Sequence, residues 1–358
     1  MNSSFTPASA GRCLLGALVL LLGCQKDPVI EIKEVPERRS WTEVRNLRGL
    51  ERTILNMAGD GRQLLLQQPF YFTKLRSQGP GGATVHAAGL PSDVGVRLAL
   101  APAFFAYPAH DSLLVVATTA APLNPAGFVR LRRLDATAVR FATRYITPFK
   151  TTAISSANQV LIAYDNNDPA RPITFVLATV SPATSVVQRA QVVRIPVDRS
   201  AGLPYVRHLA ALDDYFVADL GDGGLYRIGA DGQFRRVWGP SPLTDAFYTY
   251  GGTAYAHAEW GRLLTSADKG LTWREYTGVP AIFDQSRFYF VGDSLVGSQF
   301  DQLYTLHWQG PNYRIRPLKA DGLERASVTG MAVLRDSVYV ATTTGLFARP
   351  LAQFFEKK

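Results

Sequence analysis

Residues 246–278 read AFYTYGGTAYAHAEWGRLLTSADKGLTWREYTG, and their order of strand-like and turn-forming residues decides how the rest of the chain is parsed. AFYTY and TAYAHA have the composition of strands split by a tight turn, and among the turns of this kind along the chain Gly229-Ala230-Asp231-Gly232 fits a hairpin most clearly, its Asp-Gly supplying the positive φ a tight hairpin demands. GRLLTSA supplies a third strand. After turn formers running from Ser266 to Gly270, TWREYTG supplies a fourth.

The same plan recurs along the chain. ILNMAGDGRQLLLQ, FFAYPAHDSLLVVAT, TAISSANQVLIAY, RHLAALDDYFVAD, AFYTYGGTAYAHA, RFYFVGDSLVGSQ and GMAVLRDSVYVAT make seven strand-turn-strand copies. Their second strands begin near Leu64, Leu113, Val160, Tyr215, Thr253, Ser294 and Val338. The spacing is about 38 to 55 residues, the period of four-strand propeller blades. A third strand follows each copy (FYFTKLR, GFVRLRRL, ITFVLATV, GLYRIGA, GRLLTSA, QLYTLHW, GLFARPL). A fourth follows six of them (ATVHAAG, VRFATRY, VVQRAQVVRI, QFRRVWG, TWREYTG, YRIRPLK). The seventh copy lacks its fourth strand, since only LAQFFEKK remains after Pro350. Ser40-Trp41-Thr42-Glu43-Val44-Arg45 echoes Leu271-Thr272-Trp273-Arg274-Glu275-Tyr276, so an N-terminal strand is expected to complete the last blade and pair an otherwise open edge. The expectation is an all-β fold, one seven-bladed β-propeller over residues 40–358, with six or eight blades as alternatives. A two-sheet sandwich needs no such repeat, and helical spacing is sustained only near residues 45–57, which disfavours an α/β fold.

The chain has 358 residues, 47% hydrophobic and 19% charged, with 30 Gly and 22 Pro, a composition suited to a turn-rich globular domain. Residues 1–23 read as a signal peptide, with an apolar run from Cys13 to Leu22 too short to span a bilayer. Leu21-Leu22-Gly23-Cys24 resembles the bacterial lipobox, which implies lipid attachment at Cys24, a membrane anchor, and a tether over residues 24–39. With Cys13 leaving in the signal, no thiol pair remains for a disulfide. The expected address is the bacterial cell envelope, on the outer membrane, facing either the periplasm or the exterior. Lys26-Asp27 fits only partly the pattern that directs some Bacteroidetes-type lipoproteins to the surface, because Pro28 stands where a second acid belongs. The net charge is +9, yet Arg130, Arg132, Arg133, Arg235, Arg236, Arg314 and Arg316 are scattered at strand positions. That pattern suits a solvated surface rather than a nucleic-acid site.

Ser266, Asp268, Gly270, Thr272 and Trp273 match the Asp-box, Ser/Thr-x-Asp-x-Gly-x-Thr-Trp, so this segment resembles the sialidase-like (BNR) propellers, including sortilin-type and photosystem-assembly-factor-type rings. The resemblance implies a structural turn away from any catalytic face. It does not carry sialidase chemistry, because the Arg-Ile-Pro of that family is met only at Arg194-Ile195-Pro196, preceded by Val193 and placed after the third copy. Gly292-Asp293-Ser294-Leu295 spells the GDSL-esterase signature, but Asp111-Ser112 and Asp336-Ser337 occupy the same place in two other copies and mark a turn.

Neither Asp165-Asn166-Asn167-Asp168 nor Asp219 with Asp222 has calcium-loop spacing, and His86, His110, His208, His257 and His307 lack zinc spacing, so no metal or cofactor is expected. Tyr255, His257 and Glu259 alternate with Ala254, Ala256 and Ala258 and share one strand face. That face either packs against a neighbouring blade or contributes acid and base groups to a pocket. The reading favoured is a monomeric, non-enzymatic scaffold that binds an envelope protein or glycan. A sialidase-like glycan hydrolase and a glycan-binding ring are the alternatives.

Overall fold

The structure is a computed structural model that describes residues 40–44, 52–69, 71–77, 83–89, 99–100, 104–109, 112–117, 128–141, 151–181, 183–184, 186–198, 205–240, 244–283, 286–309, 312–323 and 326–357. The signal peptide, Cys24 and the tether lie outside the described residues. Of two compact units, only Arg39–Lys358 contains described residues.

Strand β1 (Thr42–Glu43) comes first, and its partner comes last. The first sheet follows, with β2 (Asn56–Gly59), β3 (Gln63–Gln67), β4 (Tyr71–Ser77) and β5 (Ala83–Gly89). The second has β6 (Ala99–Leu100), β7 (Phe104–Ala109), β8 (Ser112–Ala117) and β9 (Phe128–Arg130), and runs into the one-turn helix α1 (Leu131–Leu134). The third has β10 (Ala138–Phe141), β11 (Thr152–Ile154), β12 (Gln159–Asn166), β13 (Ile173–Ser181) and β14 (Val186–Ile195). The fourth has β15 (His208–Leu212), β16 (Tyr215–Asp219), β17 (Leu225–Ile228) and β18 (Phe234–Trp238), and the fifth has β19 (Thr244–Tyr250), β20 (Thr253–Ala258), β21 (Arg262–Ser266) and β22 (Arg274–Thr277). The sixth has β23 (Arg287–Val291), β24 (Ser294–Gln299), β25 (Gln302–Gln309) and β26 (Asn312–Pro317). The last has β27 (Val328–Leu334), β28 (Ser337–Thr342) and β29 (Leu346–Pro350), followed by α2 (Leu351–Phe354).

The strands of every sheet pair antiparallel and step outward in chain order from an inner strand, except that β1 forms the outer edge of the last sheet and β10 joins β11 on one side of β12 in the third. The inner strands β2, β6, β11, β15, β19, β23 and β27 touch one another in that order, and β27 returns to β2. The sheets therefore form a closed ring around an axis. Turns after first and third strands lie at one end of the ring, here the odd end; turns after second strands and the crossings between sheets lie at the even end.

The repeat predicts seven like blades, and six sheets among the described residues keep its plan. The second departs from it. FFAYPAH, read as an inner strand, is flanked on its inner side by β6, with Leu100 opposite Phe105. The described part of VRFATRY, read as that copy's fourth strand, instead lies in β10 and pairs with β12 of the next sheet. A buried carboxylate accounts for the change of partner. Asp135 accepts hydrogen bonds from Tyr164 Oη at 2.5 Å, Thr137 Oγ1 at 2.7 Å and Thr137 N at 3.0 Å, and pairs with Arg194 at 2.8 Å. Burial opposes the charge on Asp135, but these donors outweigh it and hold its pKa at about 2. Tyr164 lies on β12 and Arg194 on β14, so Asp135 ties the segment to the third sheet, and the LRRL expected to continue a strand coils into α1.

The N-terminal strand closes the last sheet, with Thr42 opposite Ala348 and Glu43 opposite Phe347. Just ahead of it, the Ser40 amide and hydroxyl donate to the two carboxylate oxygens of Asp321 at 2.6 and 2.7 Å. Trp41 is 2% exposed, donates from Nε1 to the Lys319 carbonyl at 3.2 Å and meets Phe354 edge-on. Beneath the closure lies Arg349, also buried, which donates to the Lys319 carbonyl and to Glu356 Oε2. Trp273 stands just before β22 as Trp41 stands just before β1, so the two echoing segments are equivalent outer strands. The seven scattered arginines are all exposed, spread over β9 with α1, β18 and β26 rather than gathered in one patch.

Candidate functional site

The Tyr255 and His257 side chains enter an aromatic layer between the fifth and sixth sheets. Small residues on the opposite face of β20, Ala254, Ala256 and Ala258, pack against the other side. His257 is 2% exposed, stacks on Phe288 with centroids 4.8 Å apart, and shares a 2.6 Å hydrogen bond through Nε2 with the Tyr248 hydroxyl. Trp308 Nε1 donates to the same hydroxyl at 2.9 Å, and Tyr255 stacks on Trp308. His257 Nδ1 has no partner. Loss of hydration lowers the His257 pKa from 6.5 to about 3, so the ring is neutral at physiological pH.

A pH dependence follows. Between pH 6.5 and about 3 the unfolded chain binds a proton at this ring that the folded chain does not, so stability is lost as pH falls through that window. The contribution is about 1.4 kcal/mol per pH unit. Urea unfolding of His257→Phe at pH 7, 5 and 4 is expected to show a flatter pH profile than the parent; an unchanged slope would place the titration elsewhere.

Glu259, the third residue of the alternation, does not join this layer. It sits where β20 turns at the even end and pairs with Arg207 at 2.5 Å, with Asp245 3.7 Å from the same guanidinium. Beside it stands Trp260, 74% exposed, at φ 64°. In the next sheet the equivalent turn carries Phe300, 65% exposed, at φ 53°. Both are the left-handed backbone that bulky residues avoid.

The Ser266 to Trp273 turn lies at the odd end, on the outer part of the fifth sheet. Asp268 Oδ1 accepts from Ser266 Oγ and Thr272 N, and Oδ2 accepts from Thr272 Oγ1 at 2.6 Å. The two Thr272 bonds lead in lowering the Asp268 pKa to about 2. Gly270 has φ 77° and lies so close to Tyr215 that a Cβ would come within 2.8 Å of that ring. Trp273 packs with Tyr215 and Leu264 between the fourth and fifth sheets, its Nε1 donating back to the Gly270 carbonyl.

The odd end also holds two adjoining depressions that share Phe290 and Gly292. The first, of about 550 Å³, is lined by Ala58, Gly59, Met331, Ala332, Val333 and Arg335. The second, of about 530 Å³, is lined by Thr249, Tyr250, Asp293, His307 and Trp308. Phe290 is 43% exposed between them. The Tyr250 hydroxyl and His307 Nδ1 are 2.7 Å apart, and Thr249 Oγ1 is buried without a partner. Gly292 and Asp293 belong to the sequence that spells an esterase signature; here they form a two-residue hairpin, with Val291 opposite Ser294 and Ser294 entering β24.

Asn166, Asp168 and Asp219 accept hydrogen bonds from nearby backbone amides, and among the described residues no three His, Cys, Asp or Glu side chains converge as metal ligands. No protein-family model and no curated protein sequence matches the chain. Solved structures do match it in fold. A virginiamycin B lyase from Staphylococcus aureus aligns at TM-score 0.55 and 9% identity, over 86% of this chain and 97% of that one. YCF48 bound to a D1 peptide aligns at 0.50 and 11% identity, over 88% and 97%. PorZ, a surface component of the type-IX secretion system of Porphyromonas gingivalis, aligns at 0.51 and 12% identity over 88% of this chain but only 38% of its own.

The chain is a β-propeller. Within this propeller the depressions draw on β2, β19, β23, β25 and β27 and the turns beside them, a set that reading along the chain does not assemble. The available signal was Phe290, an aromatic residue just ahead of a Gly-Asp turn on a strand that lines the axis. Alternation alone does not separate an axis-facing ring from a core one.

Proposed function

We propose that this propeller is an exported lipoprotein, held at the bacterial outer membrane through Cys24, that acts as a non-enzymatic scaffold for other envelope proteins. Its seven sheets count as one ring of seven, the second irregular, and its Ser266–Trp273 turn as an Asp-box. The observation that carries the reading is the pair of aromatic apices at the even end. Trp260 and Phe300 occupy corresponding turns of consecutive blades and point large apolar surfaces at solvent. Each is held at positive φ, a conformation costing about 1–3 kcal/mol for a non-glycine residue, the kind of strain that clusters at functional positions. Exposed aromatic rings beside an arginine, here Arg207 with its acidic partners, have the composition of protein-contact surfaces. Two of the structures similar in fold come from proteins described with a peptide or a secretion system, which is consistent with a binding role. His257 and Glu259 are engaged in packing and in an ion pair, which favours binding over acid-base chemistry.

The test is affinity capture from detergent-solubilised envelope with the parent chain and with Trp260→Gly/Phe300→Gly. Glycine accepts the backbone angle, so the double variant should melt no lower than the parent. The expected result is a reproducible partner whose recovery falls at least about tenfold in the variant, the loss produced by about 1.4 kcal/mol of binding energy. Failure of the parent chain to recover any partner would end the scaffold reading, and lipid labelling that persisted in Cys24→Ser would end the anchor.

A further inference from the structure

A scaffold needs more than one contact surface, and the odd end has the chemistry of a second. We propose that the two depressions flanking Phe290 form one binding site for an extended peptide segment of a partner protein. This rests on the protein-binding reading above and assigns a second, separate site to it. The occupant's chemistry follows from the two linings. The first depression is mostly apolar, through Ala58, Met331, Ala332 and Val333, with Arg335 the charged residue of its lining. It suits an aliphatic side chain with a carboxylate two residues away along an extended segment. The second is lined by the Tyr250–His307 pair and by Asp293. It suits a side chain that donates hydrogen bonds or carries positive charge.

Phe290 stands between the two and offers its ring to the backbone that joins these side chains. Gly61 and Gly292, where a Cβ would meet nothing within 4 Å, border the path, and no side chain there keeps a second chain at a distance. Successive side chains of an extended chain point to opposite sides, so residues two apart place both groups on the ring side. Each depression falls within the size range of ligand clefts. The opposite charges at the two rims, Arg335 and Asp293, fix direction: the acidic group of the segment lies toward the last blade, and the donor-bearing group toward the fifth and sixth.

The experiment pans the full chain in detergent against a displayed library of random heptapeptides. Enriched sequences are synthesised with a fluorophore and titrated by anisotropy against the parent, Phe290→Ala, Asp293→Asn, Arg335→Gly and Trp260→Gly. Arg335 has φ 56°, so glycine removes the guanidinium without straining the turn. The expected peptides carry an aliphatic residue and an acid two positions apart, with Lys, Arg or Gln a further two to four positions away. Their affinity should fall at least tenfold in Phe290→Ala and in each charge variant, and remain unchanged in Trp260→Gly, which lies at the other end. Peptides that bind Phe290→Ala as well as the parent would overturn the site. Enrichment of no peptide, with Phe290-dependent binding on a glycan array instead, would replace the peptide by a saccharide and also overturn it. Envelope capture by Phe290→Ala separates the two failures: a partner still recovered leaves the even-end scaffold standing while this site falls.

Discussion

Trp41→Ala is expected to destabilise the propeller by about 3–5 kcal/mol, the range for removing a buried tryptophan, and to open the ring at its seam. The indole meets Phe354 edge-on within a buried cluster that includes Leu318, Leu323 and Val328, and it seats the chain just before β1. That strand has two residues and cannot hold its place by backbone bonds alone. Without the indole, the Ser40–Asp321 clamp loses its backing and β29 becomes an unpaired edge. Urea unfolding reports the stability, and hydrogen exchange reports the opening. The Val44 amide, which donates to the Leu346 carbonyl at 2.8 Å, should exchange far faster in the variant while β20 keeps its protection. A loss below about 1 kcal/mol with unchanged exchange at Val44 would mean that the ring stays closed without this residue.

Gly297→Ala should be nearly as damaging for the opposite reason, crowding. Gly297 on β24 faces Tyr304 on β25, and the tyrosine ring lies flat over the glycine. An added Cβ would fall within 2.5 Å of the Tyr304 hydroxyl oxygen and closer still to two ring carbons. The ring cannot step aside, because it is 2% exposed and its hydroxyl is bonded to Ser286 Oγ at 2.9 Å. Overpacking of this kind costs about 1–3 kcal/mol and sometimes more; the absence of any free direction places Gly297→Ala at the upper end. Tyr304→Phe should not rescue it, since ring carbons and not only the hydroxyl obstruct the methyl. Denaturation of the two single variants and the double variant checks this, and a double variant restored to Tyr304→Phe stability would refute the geometry.

Much of the fold was legible because a blade repeats a short code: strand, two-residue turn, strand. Leu212-Asp213-Asp214-Tyr215, Tyr250-Gly251-Gly252-Thr253 and Leu334-Arg335-Asp336-Ser337 form the same hairpin, and the first turn residue has φ 56° in all three. Local sequence was enough there. It failed between Ala99 and Phe141, where VRFATRY has strand composition in either sheet and only the tertiary hold of Tyr164 and Arg194 on Asp135 decides which. The candidate site divides in the same way. Period two placed Tyr255 and His257 on one face of β20 but said nothing of what that face meets, since Phe288 and Trp308 arrive from the next blade. The Phe290 depressions were invisible for the same reason, being assembled by the ring and not by any segment of it.

The closing contact also sets an order of events. Ser40 and Asp321 are 281 positions apart, so the segment that completes the last blade is made before almost everything it joins. In a chain that emerges N-terminus first, β1 must remain unpaired until β29 has appeared beside it. The blades between can form from neighbours close in sequence, whereas the seam waits on the slowest kind of contact, one between distant parts of the chain. Completion of the ring is thus a built-in report that the whole domain has been delivered, and a chain truncated before Pro350 would leave β1 without its full partner strand.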